Sequence, residues 1–478
     1  MAGPTRPNQR PERRTESTLI LVVRPGSTVA DIDAVARAVD VQIDPVHRPL
    51  PLPKGKQARA SKYPREVPAP DLSLFYRVRA PQERLQELAE RLRQFDIVQG
   101  AYVKGPAEMP AAGIDCPTLT VAPPAVTPNF EPKQGYLNKA PKGIDAKFAW
   151  TKSGGTGTGV RIIDVERAWG FAHEDLLMNP GGVVGGYPPA DLHMEKHGTA
   201  VIGILIADRN SFGVSGISPD ANLRAVSTFD TTGDENTAWA IAQTTAFLAP
   251  GDIMLLEMHR LGPPDFETGT RYVPVEWWPD DFAAIQWATS QGVIVVEAAG
   301  NGSSNLDDPV YNTPDPGFPA YWKNPFDRAI ADSGAIVVGA GAPPVGGWGR
   351  DRSRLGFSDF GEMVDAQGWG RAVVTLGYGC FQGGPDMRRW YTAEFGGTSG
   401  ALPMVAGAIA CVQGRLSTLG KPLLTPATAR TLLRSTGSPQ QNGIGGMPKT
   451  ERIGNRPDLK AMFKALSITN TPSIRRKK

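Results

Sequence analysis

The chain has 478 residues, a length that predicts one large domain with a smaller companion and excludes a single small core. Hydrophobic residues make up 40% and charged residues 21%, close to the averages of globular proteins, which excludes a wholly disordered chain. The net charge of +3 is too small for a nucleic-acid surface, and no apolar run approaches the roughly 20 residues that a membrane span requires.

Both ends of the chain are predicted to be disordered basic tails. Residues 1–17 are rich in Pro and Arg and lack the apolar stretch of a secretory signal, and residues 468–478 end in Arg and Lys. The sequence therefore favours a cytoplasmic location, with secretion by a signal-independent route as the alternative.

Three cysteines, Cys116, Cys380 and Cys411, show no metal-ligand spacing. Their odd number argues against a complete disulfide framework. We expect free thiols in a reducing compartment.

Residues 18–110 are predicted to form a small α+β domain. The apolar patterns predict strands at residues 19–23, 41–46, 72–78 and 97–103 and helices at residues 30–39 and 81–95. Strand, helix, strand, strand, helix, strand is the ferredoxin-like order. Residues 111–128 carry Pro, Thr, Ala and Val without periodicity and are predicted to be a linker.

Residues 129–467 are predicted to form a doubly wound α/β domain with a mainly parallel sheet. Short β-branched runs at residues 160–163, 223–226, 253–257, 293–296 and 335–338 alternate with helices that begin at His197, Glu235, Asp280, Ser399 and Pro426. This alternation is typical of parallel strands with crossover helices. Active sites of such sheets lie at the carboxyl ends of the strands.

Three polar residues stand where the pattern starts or ends an element. Asp164 ends an apolar strand, His197 opens an apolar helix, and Ser399 follows a Gly-rich turn at the start of another helix. Each residue alone is ordinary turn or cap chemistry. A serine hydroxyl needs a histidine to take its proton, and that histidine needs a carboxylate to fix its tautomer. Together the three residues predict a catalytic triad.

A fourth residue, Asn301, lies on a turn between Gly300 and Gly302 after a buried strand. Taken alone, it is as well explained as a left-handed turn residue. Beside a triad it becomes a candidate donor to an oxyanion, with the backbone amide of Ser399 as the second donor.

The order Asp164, His197, Asn301, Ser399 and the surrounding motifs resemble the subtilase family of serine peptidases. The segment 197–203 is similar to the family's histidine block, 298–301 to its oxyanion block and 397–407 to its nucleophile block. The resemblance covers roughly residues 134–437 and implies a subtilisin-like fold, peptide-bond hydrolysis and an acyl-enzyme on Ser399.

One segment departs from the family pattern. Asp164 is followed by Val165 and Glu166, where the family usually has Ser-Gly or Thr-Gly after the Asp. In addition, two extra residues separate Asp164 from the segment His-Glu-Asp-Leu at 173–176. Glu166 is therefore the second candidate for the acid.

The resemblance also implies that residues 18–110 act as an inhibitory and folding-assisting propeptide, cut between about residues 101 and 128. Substrate would pair as an extended strand with the edges of the cleft. The candidate walls of the S1 pocket are Met258, His259, Leu261, Gly262, Ala298, Ala299 and Gly300.

Two other functions stay open at this point: a silent or permanently blocked subtilase that serves as a binding scaffold, and a transpeptidase that uses the same triad. The expected partners are protein or peptide substrates and, as an option, a separate inhibitor protein. We predict no cofactor and no metal. Asp307, Asp308 and Asn312 resemble a calcium site only weakly, and a solvated acidic loop explains them better.

Overall fold

The computed structural model of the chain describes residues 16–47, 68–110, 116–179, 181–263, 271–444 and 447–469. Most of both predicted basic tails and the first part of the predicted linker lie outside these residues. Within the described ranges, no helix has both the length and the apolar character needed to cross a membrane.

A four-stranded antiparallel sheet with two helices forms the N-terminal part of the chain. Its elements are β1 (Thr18–Val23), α1 (Val29–Val39), β2 (Gln42–Pro45), β3 (Phe75–Arg79), α2 (Leu85–Leu92) and β4 (Val98–Lys104). The strand order is β2-β3-β1-β4. Both helices pack on one face of the sheet because their apolar stripes recur at helical spacing; these are Ile32, Val35, Val39, Leu85, Leu88 and Leu92.

The rest of the chain is built around a seven-stranded sheet of order β13-β12-β11-β8-β5-β7-β6, in which every neighbouring pair is parallel. The strands of this sheet are β5 (Arg161–Glu166), β6 (Val183–Gly185), β7 (Asn222–Ser227), β8 (Ile253–Leu256), β11 (Ile294–Ala298), β12 (Ile336–Gly341) and β13 (Val364–Trp369). Two separate antiparallel pairs are formed by β9 (His259–Leu261) with β10 (Tyr272–Pro274) and by β14 (Val373–Leu376) with β15 (Tyr391–Phe395). The predicted fold class, a parallel α/β sheet with a small N-terminal α+β unit, is confirmed.

Helices cover both faces of the large sheet because its central strands are apolar on both sides. The helices are α3 (Ala146–Ala149), α4 (Leu192–Ile206), α5 (Thr237–Phe247), α6 (Pro279–Ser290), α7 (Thr398–Thr418), α8 (Pro426–Ser435) and α9 (Leu459–Ala465). The cores of α4 and α7 lie on one face, and α5 and α6 lie on the other. Since α4 is buried from His197 onward and α7 is buried from its first residue, polar groups at these two positions are held in a dry, rigid setting.

Two of the element boundaries that differ from the sequence prediction concern the site. The helix predicted to begin at His197 begins at Leu192, because the side chain of Asp191 accepts a hydrogen bond from the Met194 amide at 3.0 Å and caps it there. The strand predicted to end at residue 163 continues to Glu166, so Glu166 and not Asp164 is its last residue.

The second face of the N-terminal sheet packs against α5 and α6. At its edge the Tyr102 hydroxyl donates to Asp280 at 3.0 Å, and the buried Lys104 ammonium contacts Asp280 and lies 3.1 Å from Asp281. Removing one partner of a buried ion pair typically costs about 3–5 kcal/mol. The N-terminal unit is therefore docked through apolar surface and through charges that need their partners.

Cys116 and Cys380 form a disulfide with an S–S distance of 2.26 Å, which corrects the prediction that these two cysteines are free thiols. Their sequence separation of 264 residues gave no spacing signal. The segment after Cys116 lies along the connection between β14 and β15, where the Leu119 amide donates to the Gly379 carbonyl at 2.9 Å. Cys411 is a buried free thiol.

Candidate active site

Three side chains meet at the end of β5, in the second turn of α4 and at the start of α7. The Oγ of Ser399 lies 2.9 Å from Nε2 of His197, and Nδ1 of the same ring is hydrogen-bonded to the Glu166 carboxylate. All three side chains are fully buried. A neutral imidazole that donates from Nδ1 leaves Nε2 free to accept the serine proton, so this arrangement can activate Ser399.

Asp164 does not contact His197, which corrects the predicted pairing. Residues 164 and 166 point to the same face of β5, but Asp164 lies two residues, or about 6.6 Å, further from the strand end. Its carboxylate instead accepts a hydrogen bond from Nε1 of Trp169 at 2.7 Å. The signal that was missed is the distance along the chain to the segment 173–176. Counted from Asp164 this distance is two residues longer than in the family pattern, and counted from Glu166 it agrees with that pattern.

Burial disfavours charge on both partners of the His197–Glu166 pair. It lowers the pKa of His197 to about 3, with a smaller contribution from the nearby Arg167 guanidinium. It raises the pKa of Glu166 well above its usual value, against the opposing effect of Arg167. With the N-terminal unit docked, His197 is therefore neutral and able to act as a base over the whole physiological range.

The predicted oxyanion donors point at a carbonyl group of the chain itself. The Nδ2 of Asn301 donates to the Pro110 carbonyl oxygen at 2.6 Å, and the Ser399 amide donates to the same oxygen at 3.5 Å. The other end of the Asn301 amide accepts from the backbone and hydroxyl of Thr398, each at 3.1 Å, which fixes its orientation. The Ser399 amide is free for this contact because it belongs to the first turn of α7.

The residues before Pro110 lie across the site as an extended strand. Glu108 and His259 exchange both backbone hydrogen bonds, at 2.8 and 2.9 Å, in antiparallel pairing. The Arg167 guanidinium donates to the Ala107 carbonyl, and the Tyr272 hydroxyl donates to the Glu108 carboxylate at 2.8 Å. The segment 107–110 therefore has the backbone geometry expected of the non-primed side of a bound peptide.

The seven residues predicted to wall the S1 pocket have different surroundings. His259 pairs with the segment 107–110, stacks on the Tyr272 ring at 4.2 Å between centroids and accepts the Asn301 amide at 3.2 Å. Leu261 and Gly262 lie at the far end of the β9–β10 hairpin, where the Gly262 amide donates to the Arg271 carbonyl. Of the remaining four, Met258 is buried just before β9, Ala298 ends β11, and Ala299 and Gly300 lead to Asn301.

The acidic loop considered for calcium uses its side chains locally. The Asp307 carboxylate accepts the Glu362 amide at 2.9 Å, and Asp308 caps the short turn that begins at Pro309. Across the described ranges, no group of three or more His, Cys, Asp or Glu side chains is arranged to hold a metal ion.

Comparison with known proteins gives a consistent result. A model of the subtilase family matches residues 183–454, a span that contains His197, Asn301 and Ser399 but begins after Glu166. Subtilisin amylosacchariticus from Bacillus subtilis subsp. amylosacchariticus is 28% identical over 308 residues, covering 63% of this chain and 67% of that protein. Subtilisin E from Bacillus subtilis (strain 168) is 27% identical over the same shares.

Among solved structures, fervidolysin from Fervidobacterium pennivorans, described as a keratinolytic enzyme related to subtilisin, matches with a TM-score of 0.55 and 17% identity. The match covers 95% of this chain but only 62% of the fervidolysin chain. At this identity the likeness concerns the fold.

Proposed function

Because the chain belongs to the subtilase family of serine peptidases, we propose that it is an endopeptidase that forms its acyl-enzyme on Ser399. The observation that supports this best is the hydrogen-bonded series Ser399, His197, Glu166 beside two donors aimed at one carbonyl oxygen. Glu166 takes the role of the triad acid. The sequence argument for a silent scaffold was the altered segment after Asp164. With Glu166 as the triad acid, that argument no longer applies.

The proposed reaction follows the geometry. Ser399 attacks the substrate carbonyl while Nε2 of His197 takes its proton, and Glu166 stabilises the cation that forms. The carbonyl oxygen becomes an oxyanion held by Asn301 Nδ2 and the Ser399 amide. His197 then gives the proton to the leaving amine, and water repeats the sequence to release the acid.

We further propose that the N-terminal unit inhibits the enzyme by occupying its cleft. The segment 107–110 fills the non-primed side, and the contacts of Lys104 with Asp280 and Asp281 hold the unit in place. By position, Pro110 corresponds to the residue before the scissile bond. The first bond cut is therefore the one between Pro110 and Ala111.

This assignment predicts an N-terminal fragment that ends at Pro110 and an enzyme fragment that begins at Ala111. Intact-mass analysis of the purified full chain over time measures both. Glu108→Pro removes the backbone N–H that donates to His259 and is expected to slow the cut about tenfold, whereas Glu108→Ala keeps that N–H and should cut near the wild-type rate. A first cut at any other bond contradicts the proposed register.

Asn301→Ala is expected to lower kcat for a peptide substrate by about 100- to 1,000-fold with little change in KM, because one of two oxyanion donors is lost. Steady-state kinetics on the self-processed protein measures this. The control is Asn305→Ala, an exposed amide in the same loop, which should retain wild-type kcat. Equal kcat in Asn301→Ala and wild type would remove Asn301 from the mechanism.

The Cys116–Cys380 disulfide bears on location. Such bonds persist in oxidising compartments and are rare where glutathione keeps thiols reduced. We therefore propose that the mature enzyme works in an oxidising compartment, in place of the cytoplasmic location expected from the sequence. Export also explains how a cell tolerates the active form.

A further inference from the structure

A third buried acid, Glu257, lies beside the triad and has no part in the reaction described above. It follows the last residue of β8, and its amide donates to the Val165 carbonyl at 3.3 Å, which extends the pairing of β8 with β5. The register pairs Asp164 with Leu255, so Glu257 lies across from Glu166. In parallel strands, paired residues share a face, so Glu257 points to the side of the sheet that holds α4 and α7.

The Glu257 side chain is fully buried, and neither carboxyl oxygen has a hydrogen bond of ordinary geometry to any described residue. The groups that interact with it are the Asp164 and Glu166 carboxylates and the Ser399 hydroxyl. The Ser399 amide in turn donates to the Pro110 carbonyl oxygen at 3.5 Å. Glu257 is therefore beside the nucleophile, whose own amide holds the scissile carbonyl.

The charges around Glu257 are unbalanced. The titratable groups on the elements packed around it are Asp164 and Glu166 on β5, His197 on α4 and His259 after β8, and the neighbouring cation, Arg167, is paired with Glu235. Arg167 favours the charged form of Glu166. Burial, and then the charges of Asp164 and Glu166, raise the pKa of Glu257 well above its usual value. Arg167 therefore favours ionisation of Glu166, whereas both neighbouring acids oppose ionisation of Glu257.

We propose that Glu257 is a second acid at the nucleophile, which must be protonated for Ser399 to react, so that ionisation of Glu257 switches the peptidase off at alkaline pH. A carboxylate at this point repels the oxyanion that forms on the substrate, and in a dry site that repulsion is weakly screened. The protonated acid is neutral and can donate to the serine oxygen. This inference rests on the proposed function of Ser399.

The test is the pH dependence of Ser399 labelling by a fluorophosphonate probe, together with kcat/KM for a peptide, on self-processed wild type, Glu257→Gln and Asp164→Asn. In the wild type, both rates are expected to fall by at least about tenfold as the pH rises from neutral into the alkaline range, because burial raises the pKa of Glu257. Glu257→Gln keeps the shape of the side chain but cannot ionise, so its rates should stay level over that range. Asp164→Asn removes another buried acid of the same face and should keep the fall, moved to lower pH because one of the charges that raise the pKa of Glu257 is gone.

Each outcome separates this inference from the proposed function. Labelling of the wild type at any pH, absent in Ser399→Ala, supports the nucleophile; no labelling at any pH refutes the proposed function itself. A level wild-type profile from neutral into the alkaline range overturns the role of Glu257 without any variant. An alkaline fall that Glu257→Gln retains, with circular dichroism like that of the wild type, also overturns it.

Discussion

Replacement of Ser399 by alanine is expected to lower kcat for peptide hydrolysis by about a million-fold and to leave the chain at its full mass. The substitution removes the only atom that can form the acyl-enzyme, while His197, Glu166 and the oxyanion donors remain. The residual rate then comes from binding and from the oxyanion donors alone. Intact mass measures the loss of self-cleavage, and peptide hydrolysis measures the loss of turnover, to which the N-terminal unit still attached to the variant also contributes.

The matched control is Ser417→Ala, which removes an exposed serine from the other end of the same helix. It should process itself and hydrolyse peptide like the wild type. Comparable hydrolysis by wild type and Ser399→Ala would refute the proposed nucleophile. Cleavage of the Ser399→Ala chain after Pro110 would show that another peptidase makes this cut.

Much of the architecture and part of the site could be predicted because their signals are local. Alternating β-branched and helical runs predict a parallel sheet covered by helices, and the large sheet has that form. His197, Asn301 and Ser399 each lie beside a glycine in a short motif, so these motifs are readable without knowledge of distant contacts. In the structure Nε2 of His197 lies 2.9 Å from Oγ of Ser399, and Oδ1 of Asn301 accepts from the amide of the neighbouring Thr398 at 3.1 Å.

The features that were missed depend on contacts between distant segments. Asp164 and Glu166 share one strand face, and only the position of His197 decides which of them it bonds. The disulfide joins cysteines 264 residues apart, and Glu257 approaches Ser399 only because β8 lies next to β5. A polar residue at the end of a strand predicts a functional site there, but the residue with which it pairs depends on how distant segments pack together.

The choice of Glu166 over Asp164 gives the second large expected effect. Glu166→Gln is expected to lower kcat by about 10,000-fold with KM nearly unchanged, because an amide cannot hold His197 in the tautomer that accepts the serine proton, nor stabilise its cation. The variant keeps the volume and shape of the buried side chain, so the loss reflects chemistry rather than packing. Steady-state kinetics near neutral pH, with thermal melting to check the fold, measures it.

Asp164→Asn is the matched comparison, since the Asn side-chain oxygen can still accept the Trp169 hydrogen bond. Its kcat should remain within about tenfold of the wild type, as is usual when an interaction outside the reacting groups is kept. The reverse pattern, a severe loss in Asp164→Asn and near-normal kcat in Glu166→Gln, would restore Asp164 as the acid. Equal, severe losses in both variants would mean that the buried acids act as one network, so that neither carboxylate alone orients His197.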